Sequence, residues 1–333
     1  MGDQAQSGPL WLVGDVGATH LRFGLARPTA SGFRVEAMRQ MRGDDVDGLE
    51  GALSIYLDDM LPARPVAAAL AIAGPISGGD AVALTNRDWR WSNAALAERF
   101  GFRRLLCLND AEAQALALAW LDPGDLRPLG GGSAVPDAPR LLIAPGSGLG
   151  VAALVRADGR YMALAGEGGH ATFAPESDLE RALADALRAE HGAHVSWERV
   201  LSGPGIAAIY DVVRAARQRG PSDADAAEIV RRAAADDPSA QTALATFGGL
   251  LGAYAGDLAL ILGARGGVYI GGGIAPAIAD ALAVGPLRER FEAKGRFTDY
   301  LRAVPTAIVM RPHPGLIGAA AFLAAQPGEQ GQA

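Results

Sequence analysis

Apolar residues fall along the chain in short blocks whose lengths alternate between those of strands and helices. Residues 10–16 are an apolar run that ends on a glycine turn, and 21–26 form a second run after it, so the pair reads as a β-hairpin. Residues 49–61 repeat at helical spacing, whereas 66–73 are continuously apolar, as a strand buried on both faces requires. A helix over 93–100, a strand over 105–108 and an Ala/Leu helix over 111–120 continue the alternation, which predicts a mainly buried sheet flanked by helices. Residues 122–139 interrupt it. Pro123, Pro128, Pro136, Pro139 and the Gly130-Gly131-Gly132 run predict a connector near a domain boundary.

Beyond the connector the first pattern returns as a strand over 141–144, a glycine turn, a strand over 151–155 and a further strand over 161–164. A duplicated ATPase fold needs such a hairpin turn near the start of each half, although this similarity is too short to establish a repeat. Ser177-Asp178-Leu179-Glu180 has the spacing of a capping box and opens a helix to about Glu190. Helices over 206–218 and 242–262, a strand over 267–270, a helix over 275–283, a strand over 307–310 and a helix over 315–325 complete the pattern. The tail after Gln326 is expected to fray. Gly248, Gly249, Gly252 and Gly256 inside 242–262 cost helix propensity and indicate close helix packing.

Composition narrows the function. With 333 residues the chain exceeds one typical core, so two domains are expected, with a ligand cleft between them. A net charge of −7 argues against a nucleic-acid or anionic-membrane surface. The single cysteine, Cys107, leaves no intrachain disulfide and no cysteine-based zinc cluster, which suits a reducing cytoplasm. Residues 1–9 lack the basic start and apolar stretch of a secretory signal, the run 66–76 is too short to span a bilayer, and 250–262 carries Asp257. A soluble, unprocessed cytoplasmic protein is expected. The only lysine is Lys294, so neither a Walker A loop nor a protein-kinase site can be built. Phosphate has to be held by backbone N–H groups, hydroxyls and metal. Residues 293–296 read as a solvated turn after a helix.

Four segments carry candidate chemistry. In Gly14-Asp15-Val16-Gly17-Ala18-Thr19, Gly17 permits close backbone approach, successive N–H groups can form an anion nest, Thr19 adds a hydroxyl, and Asp15 can orient water on the Mg2+ that accompanies ATP. A bare hairpin turn is the alternative. The second turn, Gly146-Ser147-Gly148-Leu149-Gly150, nominally fits a dinucleotide fingerprint, but it opens a strand and not a helix, so a phosphate-cradling hairpin fits better. Asn109 and Asp110 stand between a strand and a helix, where Asp110 can take a proton from an attacking hydroxyl and Asn109 can bind a neighbouring one. Capping of the adjoining helix by Asp110 is an equal alternative. Gly166-Glu167-Gly168-Gly169-His170 puts a carboxylate and an imidazole on a flexible backbone, which suits a polyol; no second His or Cys lies at metal spacing, so zinc is not expected there.

Taken in order, these segments resemble the bacterial glucokinase family of the sugar kinase, actin and 70-kDa heat-shock ATPase superfamily. The likeness spans about Trp11 to Leu323. It rests on Leu12 to Gly17, Ala71-Ile72-Ala73-Gly74-Pro75-Ile76, Leu84-Thr85-Asn86, Asn109-Asp110, Gly146 to Ala152, Gly166 to His170, Glu198-Arg199-Val200-Leu201-Ser202-Gly203-Pro204-Gly205, Gly271-Gly272-Gly273-Ile274 and Pro314-Gly315-Leu316. The resemblance implies an α/β, two-domain actin-like (ribonuclease H-like) fold with a central cleft: a small domain over 1–120 completed by 311–326, a large domain over 121–310, and a frayed tail over 327–333. It implies transfer of the ATP γ-phosphate to the 6-hydroxyl of glucose with Mg2+, in a homodimer.

By position, Asp110 matches the catalytic base, and Asn109, Glu167, His170, Glu198 and Asn86 match sugar partners. Gly14 to Thr19 and Gly146 to Gly148 match the phosphate segments, and Gly272 and Gly273 the adenosine end. Two departures stand out. Gly17-Ala18-Thr19-His20 replaces the family's usual Gly-Gly-Thr-Asn, and Ser147 stands where Thr is common; the first bears on nucleotide affinity more than on the reaction. A kinase for mannose, fructose or an amino sugar, or a non-catalytic sugar or nucleotide sensor on the same fold, are the competing readings.

Overall fold

The computed structural model describes residues 8–74, 76, 78–84 and 87–326. Asn86 and the tail 327–333 lie outside them. Two compact units emerge, one drawn from the described residues of Met1–Asp122, Ala157–Ala163 and Arg311–Ala333, the other from Pro123–Arg156 and Leu164–Met310.

The first unit begins with β1 (Trp11–Val16), β2 (His20–Thr29) and β3 (Gly32–Arg42), then α1 (Leu49–Asp59) and β4 (Ala67–Ile72). After a small ribbon, β5 (Ala81–Ala83) against β6 (Arg90–Ser92), come α2 (Asn93–Phe100), β7 (Leu105–Asn109) and α3 (Asp110–Ala117). The sheet order is β3-β2-β1-β4-β7. β1 and β2 are antiparallel, while β1, β4 and β7 run parallel, and all six β4 side chains are buried, as the unbroken apolar run predicts.

Strand β3 is absent from the hydrophobic pattern. Most of its side chains are exposed, and β2 alone supplies its pairing, across the hairpin they share.

The second sheet and its helices comprise β8 (Leu126–Gly130), β9 (Arg140–Pro145), β10 (Leu149–Ala157) and β11 (Arg160–Gly166), then α4 (Asp178–His191), α5 (Trp197–Val200), α6 (Gly203–Ala216), α7 (Ala226–Ala234) and α8 (Pro238–Leu262). After α8 come β12 (Val268–Ile270), α9 (Ile274–Ala277), α10 (Ala279–Val284), α11 (Leu287–Glu292), α12 (Thr298–Arg302) and β13 (Thr306–Val309). The order β11-β10-β9-β12-β13-β8 repeats that of the first sheet, with β8 added at the edge. The internal echo of the two hairpins is therefore structural.

Three expectations are corrected here. The connector over 122–139 contains β8, and Pro128 is accommodated because β8 is an edge strand that pairs only with β13. The single helix over 275–283 is two, α9 and α10, divided where Ile278 leaves helical geometry (φ −115°, ψ 22°). Lys294 is not a solvated turn residue: its side chain is only 14% exposed and its ammonium meets Asp257 at 2.6 Å.

Helix α8 is, among the described residues, the one helix long and apolar enough to cross a membrane, and two-thirds of its most apolar stretch is buried inside the protein. Its glycines do what their cost implied. A Cβ on Gly252 would stand 2.0 Å from the Leu287 carbonyl oxygen, and one on Gly256 2.6 Å from that of Phe291, so bare backbone is what lets α11 lie against α8.

The last helix, α13 (Pro314–Ala325), returns to the first unit and packs on α3 and on β1 to β4.

Candidate active site

The parallel register of β1, β4 and β7 aligns Val16, Ile72 and Asn109, so the three strands end at one edge of the first sheet. Asp15 and Asp110 therefore emerge at the carboxyl ends of strands, the edge at which open α/β sheets bind ligands.

Asn109, rather than Asp110, caps α3. Its Oδ1 accepts from the N–H groups of Ala111 (2.9 Å) and Glu112 (3.2 Å), and Glu112 Oε2 accepts from the Asn109 N–H at 3.3 Å, which closes a capping box. The Asn109 amide also donates to the Gly74 carbonyl at 3.0 Å, tying β7 to the end of β4. Asp110 is the first helical residue, and its Oδ1 accepts from the Ala111 N–H at 2.8 Å. A carboxylate there is favoured by the peptide dipoles of the helix start. Burial holds the Glu112 carboxyl above its ordinary value, the Asn109 N–H pulling against that.

The first glycine turn is closed by the Gly17 N–H donating to the His20 carbonyl at 3.0 Å, so residue 20 contributes its backbone whatever its side chain. Asp15 pairs with Arg22 at 3.2 Å. Burial raises the Asp15 carboxyl, and Arg22 and His313 pull it back. No local pattern singles out Arg87, yet it braces this turn. Its guanidinium donates to the Ala18 carbonyl and to Asp44, reaches the Gly43 carbonyl at 3.2 Å, and lies over Trp89 at 5.2 Å. A Cβ on Gly43 would meet the Ala18 carbonyl oxygen at 2.5 Å and the guanidinium carbon at 2.8 Å, so this clamp on the turn requires glycine.

In the second unit the Gly146–Gly148 turn between β9 and β10 is a point of convergence. The Gly203 N–H, at the start of α6, donates to the Gly146 carbonyl at 2.9 Å, and the Leu149 N–H donates to Glu198 Oε2 at 3.0 Å. A Cβ on Gly148 would stand 2.6 Å from that same carboxylate oxygen, one on Gly169 2.3 Å from the Leu149 carbonyl, and one on Gly272 (φ +72°) 2.3 Å from the Pro145 carbonyl. Ser147, Glu198, the Gly166–His170 loop and Gly272-Gly273 are thereby gathered round one turn. Glu167 and His170 approach to 3.9 Å with side chains 64% and 61% exposed. A carboxylate has about four acceptor positions, so Glu198 can hold the turn and still receive a hydroxyl.

The site residues thus form two groups, Gly14 to Thr19 with Asn109 and Asp110 in the first unit, and Gly146 to Gly148, Glu167, His170, Glu198, Gly272 and Gly273 in the second.

Cys107, two residues before Asn109, donates to Asn93 Oδ1 at 3.3 Å, and burial pushes its thiol up to about 12. At neutral pH its thiolate fraction is roughly a thousandfold below that of an ordinary cysteine. The native protein is expected to keep full activity in iodoacetamide at about pH 7.5, below any titration of such a thiol, with mass spectrometry showing Cys107 unmodified. Rapid stoichiometric alkylation would show that this strand end is open.

The chain is similar to known proteins along nearly its whole length. Residues 12–326 match the family model described as Glucokinase. A glucokinase of Ralstonia nicotianae is 43% identical over 327 residues, covering 94% of each chain. The crystal structure of a glucokinase from an Antarctic psychrotroph superposes with a TM-score of 0.85 at 37% identity, covering 95% of this chain and 99% of its own. A ROK-family glucokinase from Streptomyces griseus, solved with glucose and AMPPNP, superposes with a TM-score of 0.66 at 20% identity, covering 94% and 98%, and shares the fold.

Proposed function

The chain belongs to the glucokinase family, and from that premise we propose that Asp110 is the base for the sugar 6-hydroxyl and that the two glycine turns hold the phosphates of ATP. The protein is an enzyme of two-domain actin-like fold that phosphorylates glucose to glucose 6-phosphate at the expense of ATP.

One observation carries the residue assignment. The register of β1, β4 and β7 brings Asp15, Asn109 and Asp110 to the same sheet edge, with Asn109 spent on the cap and Asp110 standing beside it. Asp110 accepts the proton as the hydroxyl attacks phosphorus, and Asn109 donates its remaining amide hydrogen to a neighbouring hydroxyl. Glu167, His170 and Glu198 bind further hydroxyls. Asn86 joins them on family position alone. In the segments Gly14 to Thr19 and Gly146 to Gly148, the turn N–H groups not already bonded within the protein, those after Gly17 and Gly146, would face phosphate, and Gly272 and Gly273 lie at the adenosine end.

The donor set suits a magnesium ion carried in on the nucleotide. No group of three or more His, Cys, Asp or Glu that could hold a metal occurs among the described residues, whereas Mg2+ commonly uses one or two carboxylates with substrate phosphates and water. Asp15 would hold it through water, and the ion would neutralise phosphate charge. The protein's own part is alignment of the hydroxyl with phosphorus.

ADP release in Mg-ATP is expected to depend on glucose and to exceed that with mannose, fructose or N-acetylglucosamine. Release favouring another sugar moves the specificity and leaves the chemistry. No sugar-dependent release from folded, ATP-binding protein would count against Asp110 as a base.

A further inference from the structure

Glu167 and His170 are largely solvent-exposed, so side-chain packing does not place them. Their backbone does. The loop that carries them is fixed from beneath by β10: a Cβ on Gly169 would stand 2.3 Å from the Leu149 carbonyl oxygen, leaving no room for a side chain, and one on Gly168 would press on Val151 Cγ1 at 3.1 Å. It is fixed from the side by Tyr254 of α8, whose hydroxyl donates to the Gly168 carbonyl at 2.6 Å across 86 residues of sequence.

Tyr254 is 2% exposed and does not face solvent. Its ring stacks on Trp197 with centroids 4.6 Å apart and planes at 23°, and Trp197 meets Phe173 edge-on at 5.0 Å. Trp197 immediately precedes Glu198, and Phe173 lies three residues after His170. The two segments are also joined by backbone, because the Trp197 N–H donates to the Ala171 carbonyl at 2.9 Å and the Phe173 N–H to that of Val195 at 2.8 Å. A ring nitrogen of His194 lies 3.1 Å from the His170 carbonyl.

We propose that Tyr254 is a positioning residue for hexose binding, its hydroxyl setting the depth of the Glu167–His170 loop while its ring sets the start of the helix that bears Glu198. The inference rests on the reading of that loop as the sugar site. Both contacts come from one rigid side chain buried in the longest helix of the unit, so all three sugar-side groups are referred to a common support. Burial, with Asp257 nearby, holds the phenol up at about 12, further from titration at neutral pH than an ordinary tyrosine already is.

The test is Tyr254→Phe, which keeps the ring stack and deletes the donor, measured beside Glu167→Ala. For Tyr254→Phe, glucose KM and the calorimetric glucose Kd are expected to rise about threefold to tenfold, the scale of one deleted hydrogen bond, since the Gly168 carbonyl keeps its bond from the Ala171 N–H, with ATP KM and kcat within about twofold of the parent. For Glu167→Ala a rise in glucose KM is expected on the loop reading alone. An unchanged glucose KM in Tyr254→Phe, with a raised one in Glu167→Ala, overturns the positioning role and leaves the loop reading standing. Unchanged glucose KM in both overturns the loop reading and the proposal with it. A lowered melting temperature with equal changes in both KM values makes Tyr254 a general support of the fold and also overturns it.

Discussion

Asp110→Ala is expected to lower kcat by about two to four orders of magnitude, the range for a positioned acid-base group, while ATP binding and the melting temperature stay near those of the parent. The two halves of this expectation come from one geometric fact. The cap of α3 is made by Asn109, with Glu112 answering it, so removal of the Asp110 carboxylate takes away the bond from Oδ1 to the adjacent Ala111 N–H and leaves the capping box whole.

Asn109→Ala makes the contrast. It deletes two bonds to helix N–H groups and the tether to Gly74 together, and loss of a cap alone typically costs about 1 kcal/mol. A stopped assay for ADP, calorimetry with an ATP analogue and a thermal melt on the two variants decide the matter. Turnover close to the parent in Asp110→Ala would remove that residue from the mechanism.

The same strand end shows how far the sequence can be read. The runs that form β1, β4, β7, β9 and β10 are legible because each is buried enough to exclude most polar side chains. Strand β3 has no such constraint: Arg34, Glu36, Arg39 and Arg42 are scattered along it with little burial, and only Met41 reaches the core. Helix α7 leaves an equally faint trace, since Ile229 is its single buried residue and Asp225 its cap.

At the site, residue types on glycine-rich turns are visible in the sequence, but their supports are not. Arg87 clamps Ala18 from 69 residues away, and Tyr254 reaches Gly168 across 86. Neither has a local pattern, because each acts through a tertiary contact that only the folded sheet and helix create. The helix cap is visible, yet open between two neighbours. Asn and Asp cap about equally well, and the tether from Asn109 to Gly74, which selects Asn, depends on β4 lying beside β7.

Gly318→Ala is expected to impair both stability and turnover, because α13 and α3 touch there through bare backbone. A Cβ at residue 318 would stand 1.6 Å from the Ala113 carbonyl oxygen, 2.5 Å from its carbon and 3.1 Å from its Cα. The obstacle is main chain within a buried helix, so no rotamer change relieves it and one helix must move. Overpacking of this kind costs about 1–3 kcal/mol, occasionally more, and contact with backbone places this substitution toward the upper end.

The functional consequence depends on which helix is displaced. Asp110 is the first residue of α3, three positions before Ala113, and α13 reaches β1 through the same packing. A shift of about 1 Å at a reacting group can cost on the order of a hundredfold in rate. The melting temperature is therefore expected to fall by several degrees, and kcat to fall at least tenfold when assayed well below the new midpoint, with the secondary structure intact by circular dichroism. A variant that melts like the parent would show that α13 and α3 do not meet as closely as this geometry requires. One that melts early but turns over normally would show that the position of Asp110 is set by β7 and its Asn109 cap, independently of the rest of α3.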